Sequence, residues 1–136
     1  MTPTILMVDD DRAALYALSE VLGELPARIV LAHSGEEALR QVLKQEFAVI
    51  LLDVRLPQMD GFEVAAAIRS LERSRRTPLI FMSANEDRRK APRAEQPNEH
   101  YFRKPLSPDL VRRTVASYLP AAHAIAPTQA AVQDRL

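Results

Sequence analysis

Apolar and polar positions along the chain follow two alternating periods. Thr4–Val8 (TILMV), Phe47–Leu52 (FAVILL) and Pro78–Met82 (PLIFM) are short apolar runs without alternation, as in strands covered on both faces. Arg28–Ala32 (RIVLA) and the shorter Tyr101–Arg103 read as two further strands. Between these runs the period changes to that of a helix. Arg12–Leu22 sets Leu15, Leu18, Val21 and Leu22 on one stripe, and Gly23 and Pro26 stop it. Ser34-Gly35-Glu36-Glu37 has the form of a capping box, opening a helix with Ala38, Leu39, Val42 and Leu43 on one face. Phe62–Leu71 is a third amphipathic helix, ended by Arg73, Arg75 and Arg76, whose cations suit its C-terminal dipole. Ser107 caps a last helix with Pro108 at its first position and Leu110, Val111, Val115 and Leu119 along it.

Strand and helix in turn predict an α/β fold, a doubly wound five-stranded parallel sheet with helices on both faces. The fourth helix, between the fourth and fifth strands, is expected to be short or broken. Residues 84–99 (ANEDRRKAPRAEQPNE) carry Pro92, which costs a helix interior about 3 kcal/mol, and Ala91 before it is pushed out of helical geometry. One turn at Glu86–Lys90 is what remains. Arg88, Arg89, Lys90 and Arg93 alternate with Glu86, Asp87 and Glu95, a solvated face rather than a grip for an acidic partner. Residues 1–119 are expected to form the domain. Residues 120–136 turn to Ala and Pro and read as a tail or linker.

Composition narrows the classes. The 136 residues suffice for one core. Eighteen basic residues balance eighteen acidic ones, so no net field draws the chain to nucleic acid or an anionic membrane. There is no cysteine, hence no disulfide framework and no thiolate chemistry. No segment approaches the ~18 apolar residues of a membrane span. A cytoplasmic location, with no direct nucleic-acid or membrane partner, is the default expectation.

Candidate chemistry lies at the strand ends. Asp9, Asp10 and Asp11 follow the first strand and Asp53 ends the third. In the flavodoxin-like strand order 2-1-3-4-5 those two strands are neighbours, and ligands sit beyond the carboxyl ends of such a sheet. Converging carboxylates repel unless some hold protons or a hard cation such as Mg²⁺ relieves them. Taken singly, each acid could be a helix cap or a turn residue. Ser83 and Lys104 end the fourth and fifth strands, adding a hydroxyl and an ammonium. Carboxylates, metal, hydroxyl and ammonium together suit phosphoryl transfer.

Over residues 4 to 119, "VDD", "LLDVRLPQMDG", "MSA" and "YFRKP" together resemble the receiver domain of two-component response regulators, chemotaxis regulators among them. The resemblance implies that Asp53 is the phosphoacceptor, taking its phosphoryl group from the phosphohistidine of a histidine kinase or histidine phosphotransfer protein. It implies an Mg²⁺ cofactor held by Asp10, Asp53, the Arg55 backbone carbonyl and, through water, Asp9. Asp11 is left as an acid at a helix N-terminus. Ser83 is the hydroxyl that swings towards the phosphate, Lys104 its cationic partner, and Tyr101 the aromatic that turns inward on activation. The bond preceding Pro105 is expected to be cis. Such a domain is not an enzyme in its own right, although it takes part in its own phosphorylation and dephosphorylation. Its downstream effector is not readable here, and a homodimer on phosphorylation is one outcome.

The sequence departs from the family pattern at Pro97-Asn98, where Gly-Ala is usual, on the face that the resemblance implies carries output. The Arg55 side chain, two residues past the acceptor, is either a surface charge or a group guarding the pocket mouth. His33, His100 and His123 lack ligand spacing and read as surface residues. Two rival functions remain: a pseudo-receiver that only binds proteins, and a haloacid-dehalogenase-like phosphatase with Asp9 as nucleophile. The latter needs a further acidic ligand and a cap domain that do not fit this length.

Overall fold

The computed structural model describes residues 2–84 and 98–120. Its elements are β1 (Thr4–Val8), α1 (Arg12–Leu22), β2 (Arg28–Ala32), α2 (Gly35–Lys44), β3 (Val49–Asp53), α3 (Gly61–Ser70), a 3₁₀ turn (Glu72–Ser74), β4 (Leu79–Ser83), β5 (Glu99–Arg103) and α4 (Pro108–Ala116). The strands form one sheet in the order β2-β1-β3-β4-β5, and every neighbouring pair is parallel. This is the doubly wound arrangement expected from the alternation. The turn expected at Glu86–Lys90, the basic cluster around it, His123 and the tail beyond Pro120 lie outside the described residues. Among the described residues no helix is long and apolar enough to cross a membrane.

Two apolar layers explain why the central strands lack alternation. Ala38, Val42, Val64 and Ile68 bring α2 and α3 onto Leu6, Val8, Ile50, Leu52 and Phe81. Leu15, Leu22, Val111 and Val115 bring α1 and α4 onto Ile5, Met7, Leu51 and Ile80. Every residue of β1, β3 and β4 is buried, so both faces must be apolar.

The structure corrects several local expectations. Strand β3 begins at Val49 rather than Phe47 and includes Asp53, which pairs with Met82. Strand β5 begins at Glu99, two residues earlier than expected, because distant side chains accommodate its polar start. Arg69 binds Glu99, and His100 meets the Tyr118 hydroxyl at 2.6 Å. His100 is therefore a half-buried tie between β5 and the turn after α4, and burial pushes the Tyr118 phenol up. Ser34 accepts from the Glu37 N–H, but the Glu37 carboxylate reaches past it to the His33 N–H. The reciprocal capping box stands on α3, where Asp60 and Glu63 each accept the other's N–H at 2.9 Å. Arg73 does not serve its own helix. Its guanidinium donates to the carbonyls of Val42 and Leu43, closing the C-terminus of α2.

Candidate functional site

Adjacent strands β1 and β3 deliver their terminal acids to one place. Asp9, Asp10 and Asp53 each offer a carboxylate oxygen, and the three oxygens lie within 4.8 Å of one another. Lys104 enters from the far side of the sheet. Its main-chain N–H donates to the Ser83 carbonyl at 2.7 Å, and the Lys104–Pro105 bond is cis. Its Nζ then stands 2.9 Å from Asp9 Oδ2 and 3.0 Å from Asp53 Oδ2. The remaining oxygens of these two acids are held by the chain itself. The Asp11 N–H donates to Asp9 Oδ1 and the Arg55 N–H to Asp53 Oδ1, each at 3.0 Å.

Burial divides the acids. Asp9 and Asp53 are 2% and 6% exposed, whereas Asp10 opens to solvent. Asp11 stands apart as the cap of α1, its carboxylate accepting from the N–H groups of Ala13 and Ala14. Ser83 is fully buried at the end of β4. The half-buried Tyr101 ring lies 6.3 Å from Phe62 and 6.1 Å from Phe81, in a three-ring cluster on the α3 side of the sheet. Arg55 serves the site through its main chain, and its side chain is on the surface. One contributor escaped the sequence reading. Gly61, whose N–H donates to the Val54 carbonyl at 2.9 Å, packs so closely under β3 that a Cβ there would lie 2.3 Å from the Asp53 carbonyl oxygen. The Asp-Gly pair that opens α3 carried that signal.

Three carboxylates against one ammonium leave a formal surplus of two negative charges (three minus one) in a half-buried hollow. Hard oxygen donors with that surplus fit a divalent cation such as Mg²⁺. Burial raises the Asp53 carboxyl above its ordinary value; the Arg55 N–H and Lys104 work against the rise, and the charge of Asp9 adds to it. Burial alone would lower Lys104, but its hydrogen bonds to Asp9 and Asp53 outweigh that and hold its ammonium above the ordinary lysine value.

The raised Asp53 has a consequence for stability. With a folded pKa above its unfolded value, the native state binds the additional proton between the two, so stability falls as pH rises through that window. At neutral pH the charged group opposes folding. Asp53→Asn is therefore expected to stabilise the metal-free protein by about 1 kcal/mol at pH 7, in urea unfolding. The gain should vanish on acidification below the unfolded value; a loss of stability at pH 7 would count against this electrostatic account.

Known proteins resemble this chain in sequence and fold. Residues 5–116 match the family description "Response regulator receiver domain". The transcriptional regulatory protein SrrA of Staphylococcus aureus is 34% identical over 109 residues, 79% of this chain and 44% of that protein. AfsQ1 of Streptomyces coelicolor, also a transcriptional regulatory protein, is 39% identical over 85 residues, 62% of this chain and 36% of its own. The chain thus spans less than half the length of these curated relatives. Among solved structures, the receiver domain of a Pseudomonas aeruginosa sensor histidine kinase superposes with a TM-score of 0.77 at 29% identity, covering 87% of this chain and 98% of that one. That structure holds a magnesium ion in its active-site cleft. The chemotaxis response regulator CheY4 of Vibrio cholerae gives 0.76 at 27% identity, covering 88% of this chain and all of that one. The acid cluster, the lysine that bridges it and the 2-1-3-4-5 sheet thus stand on a chain that belongs to the response regulator receiver domain family.

Proposed function

We propose that this domain is a phosphorylation-switched signalling module whose phosphoacceptor is Asp53, loaded from a phosphohistidine on a histidine kinase or histidine phosphotransfer protein. The observation that carries the reading is the Lys104 ammonium shared between Asp9 and Asp53 beside the exposed Asp10. Asp10, Asp53 and the Arg55 carbonyl would hold Mg²⁺, with Asp9 contributing through water. Bound there, the cation supplies charge neutralisation for the acids and for the oxygens of the incoming phosphoryl group.

The chain's own residues do the rest. An Asp53 carboxylate oxygen attacks phosphorus, forming an O–P bond while the P–N bond of the phosphohistidine breaks. The imidazole leaves with that electron pair and takes up a proton. Lys104 neutralises the acceptor and then the transferred group. An apolar groove lined by Ala14, Ala17, Leu18, Val21, Pro105 and Leu106 runs beside Lys104, and a partner seated there brings its phosphohistidine to the site. The acyl phosphate then favours the arrangement in which Ser83 and Lys104 both bind it, and the Tyr101 side chain follows Ser83. The output face along β4 and β5 changes in response, and an effector protein or an effector domain of a longer chain reads it.

Beryllofluoride with Mg²⁺, a stable mimic of the bound phosphoryl group, tests this in amide spectra. Shifts are expected at Asp10, Asp53, Ser83, Tyr101 and Lys104. A spectrum unchanged at all five would favour a pseudo-receiver.

A further inference from the structure

The three acids of the site are not held alike. Asp9 and Asp53 are each fixed at both oxygens, by Lys104 and by a main-chain N–H. Asp10 is exposed, and among the described residues no hydrogen bond fixes its carboxylate. Its position is therefore set by the backbone between β1 and α1. On the inner side that backbone is tied to β2, where the Asp9 N–H donates to the Ala32 carbonyl at 3.1 Å. On the outer side three side chains tie it. Arg12 Nη1 lies 3.2 Å from His33 Nε2, and His33 Nδ1 lies 3.3 Å from Glu37 Oε1. Glu37 also accepts from the His33 main-chain N–H, the first of the causes that hold its carboxyl below the usual range.

The chemistry of the three groups fixes the direction of this chain. A guanidinium only donates, so the bond from Arg12 needs a lone pair on His33 Nε2. The ring proton then belongs on Nδ1, facing Glu37, and Glu37 selects the tautomer that Arg12 requires. Glu37 is in turn seated in the first turn of α2, where its N–H meets Ser34. A strut of polar contacts thus runs from α2 across the β2–α2 loop to the first residue of α1, two positions from Asp10.

We infer that Glu37, His33 and Arg12 form a positioning strut for the metal site, holding the β1–α1 loop so that Asp10 stands ready before the cation arrives. The inference rests on the reading of Asp10 as an Mg²⁺ ligand given above. Arg12 and His33 act through the loop and are positioning residues. Their effect is preorganisation: a loop already in place loses less freedom when the cation binds.

Two variants test the strut, His33→Phe, which removes both ring nitrogens and keeps a planar ring, and Arg12→Met. Mg²⁺ is titrated at constant ionic strength, with the Asp10 and Asp11 amide signals as readout, and metal-free thermal unfolding is followed alongside. His33→Phe is expected to weaken Mg²⁺ binding about fivefold, equivalent to about 1 kcal/mol, while the metal-free midpoint stays near that of the parent. Arg12→Met decides the sign. A cation that merely sat near three acids would on removal let Mg²⁺ bind tighter; the strut predicts weaker binding. Parental affinity in His33→Phe, or tighter binding in Arg12→Met, overturns the inference. So does a loss of metal-free stability without a loss of affinity. A parent protein that binds no Mg²⁺ would instead overturn the reading of the site itself.

Discussion

Gly61→Ala is expected to cost about 3 kcal/mol of stability and to cut phosphoryl acceptance by Asp53 at the same time. A Cβ at Gly61 would stand 2.3 Å from the Asp53 carbonyl oxygen, 2.7 Å from Val54 Cα and 3.0 Å from the Asp53 carbonyl carbon. All three atoms are main chain, so no side-chain rotation relieves the clash. Either α3 withdraws, losing the Gly61 N–H bond to the Val54 carbonyl, or the end of β3 moves. If β3 moves, the Asp53 carboxylate leaves its 3.0 Å contacts with Lys104 and the Arg55 N–H. Gly35 supplies the control. A Cβ there meets Val64 Cγ2 at 2.7 Å and Met59 Cγ at 2.9 Å, and these are side-chain atoms that can shift. Gly35→Ala should cost only about 1 kcal/mol and leave phosphorylation intact. Urea unfolding of the two variants checks the contrast, and equal losses would refute it.

Arg69→Ala is the other large effect, expected to destabilise by about 3 kcal/mol or more. Arg69 Nη2 and Nε donate to Glu99 Oε2 at 2.9 and 3.2 Å, and both side chains are largely buried, at 16% and 10% exposure. Its Nη1 also serves the carbonyls of Arg75 and Thr77 at 2.8 and 2.7 Å. Truncation strands a buried carboxylate and two carbonyls together, and the desolvation already spent on Glu99 is no longer offset. The double variant Arg69→Met/Glu99→Met removes both charges and should recover most of the loss, because a buried ion pair gains little over an apolar pair. Denaturant melts of the single and double variants measure this. A double variant as unstable as Arg69→Ala would show that the carbonyl bonds, not the stranded charge, carry the effect.

The sequence made legible what short-range periodicity encodes. Unbroken apolar runs gave β1 and β4 to within a residue, since strands buried on both faces admit little else. The terminal acids of β1 and β3 followed once the strand order placed those strands side by side. What stayed hidden depends on partners far along the chain. Glu99 and His100 look too polar to open a strand until Arg69 and Tyr118, 30 and 18 residues away, take up their polar atoms. Arg73 looks like the end of its own helix until its guanidinium is found on α2, some 30 residues back. Asp9 reads as an acid that helps the metal only through water, yet the fold buries it and gives it half of Lys104. Gly61 was hidden for another reason: the Asp-Gly pair marks the turn into α3, but the space that excludes a Cβ there depends on how closely the end of β3 approaches.

The most direct test of the account is to find where the phosphoryl group goes. The chain is incubated with Mg²⁺ and acetyl phosphate, a small acyl phosphate donor, then digested and mapped by mass. The predicted result is one hydroxylamine-labile phosphoryl group on the peptide containing Asp53, absent from Asp53→Asn and strongly reduced in Lys104→Ala. A label on the peptide containing Asp9, or undiminished labelling of Asp53→Asn, would contradict it.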